Sequence, residues 1–530
     1  MLNVWSWICE LPDSAAWAEA DSDSDSPQVF ELVSSKTGRG GAARSIQIKA
    51  DRTSRPGAEP SVTFAVHAHG FQESSEEKTL WVSDACPLSS DKPFLPLLLQ
   101  LLQETIARSP TTRESSCPRS QLQKLRPEPV AWIMDSHSPE SLSSFFNLVL
   151  LTRMFWACSF DVPSEIGSFY FQSLLAPNLE ELSCKHAPVL RTFLWSVGAE
   201  AEVCFMRTLG YMLAKWLILR EVGVGLQALT PLPVRGLSFS YATEAHGLWI
   251  LKGYAPVAAM KLTRSNDQMK KFPVVEAKDS VLKYVLAHQQ LEAVVQLGYS
   301  VKFCDGYIQV DTRVDNIRLH VVNLGFGKES SGDDLAFAGE RHFPSRARVW
   351  VGPEVGATYV GGLSLGRSTS NGEREVETQR IMKSTFGKSK APEVKATGRT
   401  STRAKLRNWR WDQDSEGNAA VFDAVLHDST TGQEVATCRP PNDDGFRRRY
   451  AAANRPFTKA GGLVFAGDEY GESVGWRLGR ETEGSVLKWR IGGQVWLTYL
   501  ANDVKSSYYE TRVVEWCDEI DLPLIPGKVA

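Results

Sequence analysis

The pattern of hydrophobic and polar positions changes period along this chain. Between residues 27 and 108, "SIQIKA" and "SVTFAVHA" alternate with period two and "KTLWVS" has strand composition, so short strands are predicted. A helix follows. Asp91 can cap it, Pro93 opens it, and Leu95, Leu98, Leu99, Leu102 and Ile106 form a stripe at helical spacing before Ser109-Pro110 closes it. From about 130 to 230 the period is helical. "VAWIMD" reads as a buried strand leading to Ser138, which can cap a helix that has Pro139 at its first position and Leu142, Phe145, Phe146 and Val149 on its inner face. Another helix is predicted from about 199 to 222, ending at Gly223, with Glu200 and Arg207 on one face.

After residue 230 the pattern returns to period two, interrupted by one predicted helix from Ser280 to Leu297. "LSFSYATEAHGLWILKGY" suggests a hairpin, and Asp305-Gly306 within "YSVKFCDGYIQVDT" suits a type I′ turn. In "SVLKWRIGGQVWLTYL" a turn at Gly492-Gly493 would set Trp489 opposite Trp496 and leave both faces substantially apolar. A sheet that is apolar on both faces needs a layer on each side. The predicted class is therefore β-rich α+β: an antiparallel sandwich or barrel with a helical layer packed against it.

The expected organisation is an acidic, disordered segment over 1–26, a small strand-rich segment with one helix over 27–108, a polar linker over 109–127 and a helical region over 128–230. Antiparallel strands with one helix then fill 231–366, a basic flexible insert covers 367–407, and C-terminal strands occupy 408–530. No repeat of fixed period is present.

Composition narrows this picture. Apolar residues make up 42% and charged residues 23%, as in ordinary soluble globular chains, and sixteen tryptophans favour apolar sheet faces. The nine cysteines are scattered and never spaced CxxC, which suits reduced thiols inside a cell. The N-terminus lacks the basic and apolar regions of a secretory signal and is too acidic for a transit peptide. Arg207 and Lys215 interrupt "VCFMRTLGYMLAKWLIL", so no membrane span is expected there. Together these features predict a soluble, cytoplasmic or nuclear protein.

Charge is unevenly placed. From Arg380 to Arg410 there are ten bases and one acid, Glu393, a local net of +9 within a chain of net −3, which leaves −12 elsewhere. Residues 10–26 hold six acids and no base. The basic patch comprises Lys388, Lys390, Lys395, Arg399, Arg403 and Lys405, with a second cluster at Arg447, Arg448 and Arg449. Basic residues interleaved with aromatic ones can bind nucleic acid, but the acidic remainder would repel it, and Trp409 and Trp411 alternate as core residues of a strand with Arg410 outward. Ser22, Ser24 and Ser26 among acids, and Thr400, Ser401 and Thr402 among bases, are phosphorylation candidates that could tune docking of the acidic segment on the basic one.

Catalytic signals are thin. "FGKSK" has Met382 where a phosphate loop needs glycine, and "GPEVGATYVGGLSLG" leads into no helix. His67 and His69 leave one face of a strand, a geometry metals use, but no third ligand is apparent nearby and no metal is assigned. Cys184 and His186 lack an orienting motif. Asp135 and His137, after the expected strand, could exchange protons, though Ser138 capping the next helix explains their setting as well.

The leading expectation is a non-enzymatic scaffold or binding protein, without cofactor, that holds an apolar ligand or protein partner against Trp476, Trp489, Trp496, Tyr499 and Trp516. The alternatives are a cofactor-independent isomerase- or lyase-like enzyme in the same cavity, with Asp135 and His137 or Glu510 or Glu515 carrying protons, and nucleic-acid association through the basic patches.

Overall fold

The computed structural model describes residues 3–11, 27–35, 43–53, 59–71, 77–112, 125–179, 187–222, 237–258, 288–325, 341–366, 374–386, 394–406, 409–427, 434, 462–466, 473–500 and 511–526. The fold is α+β and β-rich, with antiparallel sheets and several helices. The chain divides into two units: residues 1–241, 254–291 and 322–341 form the first, and 242–253, 292–321 and 342–530 the second.

The first unit begins with helix α1 (Val4–Cys9) and an antiparallel sheet of β1 (Gln28–Ser35), β2 (Arg44–Thr53), β3 (Ser61–His69) and β4 (Lys78–Val82), in that order, with β5 (Cys86–Pro87) paired to β3. Ile46, Ile48 and Ala50 alternate inward on β2, as Val62, Phe64 and Val66 do on β3. Helices cover the apolar face: α2 (Leu95–Ala107), α3 (Pro127–Ser136), α4 (Pro139–Trp156), α5 (Ser164–Phe169), α6 (Ala187–Ser196) and α7 (Ala199–Val222). Two π-helical stretches, Ala157–Asp161 and Tyr170–Leu175, continue α4 and α5.

Several local expectations hold. Ser138 accepts a hydrogen bond from the Ser141 N–H at 3.3 Å with Pro139 first in α4, and the α2 stripe is buried at Leu98, Leu102 and Ile106. Others fail for physical reasons. "VAWIMD" belongs to helix α3, not a strand, because Val130 and Ile133, three apart, are its inward residues while Trp132 is exposed. The capping position of α2 is Phe94 instead of Asp91.

Two further sheets, drawn mainly but not wholly from the second unit, form a sandwich. Strands β7 (Phe239–Ala245), β8 (Leu248–Ala258), β9 (His288–Cys304) and β10 (Tyr307–Gly325) run in sequence through one sheet. It continues through β18 (Ser473–Gly479) to β12 (Val360–Ser364), and β6 (Thr111–Thr112) and β17 (Gly462–Ala466) also pair with β10. The other sheet has the order β15 (Trp409–Glu416), β16 (Ala419–Leu426), β11 (Arg341–Pro353), β19 (Val486–Leu500), β20 (Thr511–Pro523). A separate two-stranded ribbon joins β13 (Arg374–Phe386) to β14 (Val394–Leu406).

The helix expected from Ser280 to Leu297 is instead strand β9 over its described part. Leu291, Ala293, Val295 and Leu297 are buried at period two, so a neighbouring sheet face decides a pattern that local propensity left open. Residues 280–287 of that expectation lie outside the described residues. At Asp305-Gly306 only Gly306 takes a positive φ, +89°, whereas His246 (54°) and Gly247 (76°) both do, as a type I′ turn requires.

The Gly492-Gly493 hairpin does not form. β19 runs straight through both glycines and pairs with β20, Gly492 opposite Cys517 and Gly493 opposite Trp516. Gly492 serves a close approach: a Cβ there would lie 2.2 Å from the Trp350 ring carbon Cζ2. Trp489 and Trp496, seven residues apart on one strand, consequently fall on opposite faces. Trp489 is fully buried and Trp496 half-buried.

Candidate functional site

The ribbon β13–β14 is where sequence chemistry and backbone register combine most distinctively. Thirteen residues of each strand pair without a bulge, from Arg374 opposite Leu406 to Phe386 opposite Val394. Strand alternation assigns these positions to two faces. One face carries Val376 opposite Ala404, Thr378 opposite Thr402, Met382 opposite Gly398, Ser384 opposite Ala396 and Phe386 opposite Val394; its charges are Arg374 at the base and Arg380 midway. The other face carries Glu375 opposite Lys405, Glu377 opposite Arg403, then Ile381 opposite Arg399, Lys383 opposite Thr397 and Thr385 opposite Lys395. Among the described residues no third strand pairs with either edge.

This pairing falls within 367–407, the segment expected as a basic flexible insert. Of the predicted basic patch, Lys395, Arg399, Arg403 and Lys405 fall on one face of β14, because each is an even number of residues from the next. Thr400, Ser401 and Thr402 sit in the same strand, opposite Arg380, Gln379 and Thr378. Lys388, Lys390, Arg447, Arg448, Arg449, Ser22, Ser24 and Ser26 lie outside the described residues.

The expected aromatic lining is packed solid. Trp476 and Trp489 are fully buried, with ring centroids 4.8 Å apart in an edge-to-face contact, and Trp249 lies 5.5 Å from Trp489. The Trp476 indole N–H donates to the Asn418 carbonyl at 2.8 Å. Trp516 is also buried, whereas Trp496 lies on the outer face with the Arg346 guanidinium 5.0 Å above its ring. The side chain of Tyr499 lies outside the described ones. Between the sheets, Leu251, Val295, Leu319, Val349, Val495 and Trp516 help enclose a void of about 10 Å³, the size of a single water. Among the described residues these rings pack directly against one another.

Two of the described acid–base candidates, Asp135 and Glu515, are exposed. Asp135 is exposed and ion-paired with Lys92, and His137, half-buried at the end of α3, meets the Thr192 hydroxyl at 3.2 Å. Glu515 is exposed and accepts from Gln494 at 3.1 Å; Glu510, Cys184 and His186 lie outside the described residues.

His67 and His69 do meet a third group. Their ring nitrogens lie 2.7 and 3.7 Å from Glu77 Oε1, but the Lys49 ammonium already bridges both Glu77 oxygens at 2.6 and 2.8 Å. Burial, only partly offset by Glu77, holds the His67 imidazole below its ordinary range. Among the described residues no set of three or more histidines, cysteines or acids could hold a metal ion.

Sequence reasoning missed the buried polar groups of the first unit. The Glu202 carboxylate, on α7, accepts from the Tyr241 hydroxyl at 2.6 Å and the Tyr254 hydroxyl at 2.7 Å. Glu104 receives Arg153 and the Trp81 indole N–H, and burial opposed by Arg153 leaves this carboxyl below its ordinary range. Lys215, also on α7, is fully buried with its ammonium 4.4 Å from the centroid of Phe160 and 6.0 Å from that of Phe155. Burial lowers its pKa from 10.5 to about 7. The sole sequence signal for these residues was a charge inside an otherwise apolar helical run.

No family model and no curated protein matches the chain. Solved structures with which it shares some likeness include the Clostridium perfringens NetB toxin in its membrane-inserted form, at 8% identity over 54% of this chain and 94% of that one, with a TM-score of 0.20. Clostridium perfringens delta-toxin matches at 9% identity over 54% and 96%, TM-score 0.21. A structure described as a pore forming protein matches at 8% over 54% and 89%, TM-score 0.18. Superpositions this loose transfer no residue roles.

The expected soluble, cytoplasmic or nuclear scaffold with an apolar ligand, protein or nucleic-acid partner and no membrane contact is withdrawn, since these neighbours are described as toxins and a pore forming protein, although a likeness this loose says nothing of this chain's own role. Among the described residues the close ring packing in the sandwich gives its ligand-holding part no support. Among the described residues one helical stretch, Pro139–Asp161, is long and apolar enough to cross a membrane, and 89% of its most apolar window is buried within the protein, where core packing accounts for it.

Proposed function

We propose that this protein acts at membranes and that the ribbon β13–β14 is the element that meets the bilayer. The observation that supports this is the distribution of charge by register: apart from Arg374 and Arg380, one face carries apolar, small and hydroxyl-bearing positions, while the acids and the remaining bases lie on the other. Strands that meet lipid show this dyad alternation over about 9–11 residues. The ribbon offers thirteen, about 43 Å at the usual rise per residue.

Arg380 limits the depth. An arginine on the lipid face at the bilayer midplane costs about 2–4 kcal/mol, whereas at headgroup level it is tolerated. The segment beyond Arg380 is therefore the part that enters the interface, lying with its uncharged face against acyl chains in the manner of an amphipathic surface element.

Replacing residues 374–406 by a short Gly-Ser linker tests this. The full chain is expected to sediment with phospholipid vesicles and the replaced chain to remain in the supernatant, with thermal unfolding of the remainder unchanged. Equal sedimentation of the two chains overturns the reading.

A further inference from the structure

We infer that the distal half of the ribbon selects anionic lipid headgroups, an inference that rests on the membrane reading above. On the charged face the acids occur only near the base, Glu375 opposite Lys405 and Glu377 opposite Arg403, where opposite charges across the strands neutralise one another. Past Gln379 and Ser401 the same face holds Arg399, Lys383 and Lys395 and no acid. Over these pairs the opposite face carries no charge, from Met382 opposite Gly398 to Phe386 opposite Val394.

Three bases backed by an apolar face form a basic amphipathic element. Its complement is a surface that presents negative charge above an apolar layer, which describes an anionic bilayer. A nucleic acid satisfies the bases and can stack on Phe386 but has no use for Met382 and Val394. Lys and Arg near an anionic membrane contribute about 1 kcal/mol each, so three supply roughly a hundredfold preference over a neutral membrane.

The experiment compares the full chain with the triple variant Lys383→Gln, Lys395→Gln, Arg399→Gln on phosphatidylcholine vesicles and on vesicles containing about 30% phosphatidylserine. Expected is a preference of roughly a hundredfold for the anionic vesicles that weakens with salt and disappears in the triple variant. Binding to neutral vesicles stays the same, and Lys383→Arg with Lys395→Arg restores the preference. Equal binding of the native chain to both vesicle types overturns the headgroup inference and leaves the membrane reading standing; loss of all vesicle binding by the native chain overturns both. A second variant, Phe386→Ser with Val394→Ser, is expected to weaken vesicle binding. If it leaves vesicle binding intact while short duplex DNA displaces the native chain from anionic vesicles, the partner is a polyanion and the inference falls.

Discussion

Two antiparallel pairs in the second unit have equal length and opposite fates. β19–β20 and β13–β14 each align thirteen residue pairs. In β19–β20 the face with Trp489, Ile491, Val495 and Leu497 is buried against a second sheet, and β11 pairs with the far edge of β19. In β13–β14 the same alternation places every charge except Arg374 and Arg380 on one face, and no third strand joins among the described residues. A two-stranded ribbon by itself is marginal in water. The difference teaches that period-two patterning specifies a two-faced strand but not what its uncharged face meets, a partner sheet in one case and, in the proposal above, lipid.

Substitutions can break this comparison. Trp489→Ala removes a fully buried ring that contacts Trp476 and Trp249 and is expected to cost about 3–5 kcal/mol, read by urea unfolding. Met382→Ala in the ribbon is expected to change stability by less than about 0.5 kcal/mol. A comparable loss for both would show the ribbon to be an integral part of the folded core.

The first unit provides a control on buried charge. Lys215 binds protons less readily in the folded chain, at about 7, than its ordinary value of 10.5. The unfolded chain therefore holds more protons between those values, so stability rises with pH across the window, is lost as pH falls through it, and is flat below about 7. Lys215→Met should abolish this slope and stabilise at neutral pH by on the order of 4 kcal/mol at most, checked by urea midpoints from pH 6 to 10. A slope unchanged in the variant would place its origin elsewhere.

A smaller effect sharpens the packing side. Gly492→Ala puts a methyl group into the Trp350 ring and is expected to cost about 1–3 kcal/mol, whereas Gly398→Ala, in the ribbon opposite Met382, should be neutral or slightly stabilising. Thermal unfolding of both variants measures the contrast.

Much of the local structure was legible along the chain. The strands at 44–53 and 61–69, the helix behind Ser138 and the start of β15 at Trp409 announce themselves through period and capping chemistry, which depend on near neighbours alone. What misled were segments compatible with two answers. Gly492-Gly493 suits a turn or a close approach, and only the ring of Trp350, some 140 residues earlier, decides between them. Leu291 to Leu297 suits helix or strand until a sheet is present to bury every second residue. Trp476, Trp489 and Trp516, expected to line a cavity, are buried, yet burial against one another and burial around a ligand have the same sequence signature.

By itself the sequence determined the β-rich α+β class, the caps and periods of its clearest elements and the position of an unusually basic segment, because each follows from the residues' own propensities and charges. Only tertiary structure decided that the tryptophans pack within the sandwich, that Lys215 is buried beside Phe155 and Phe160, and that the basic segment pairs in a register which sorts most of its charges to one face. These outcomes depend on which distant residues meet, and side-chain volume and backbone pairing express that only once the chain has folded.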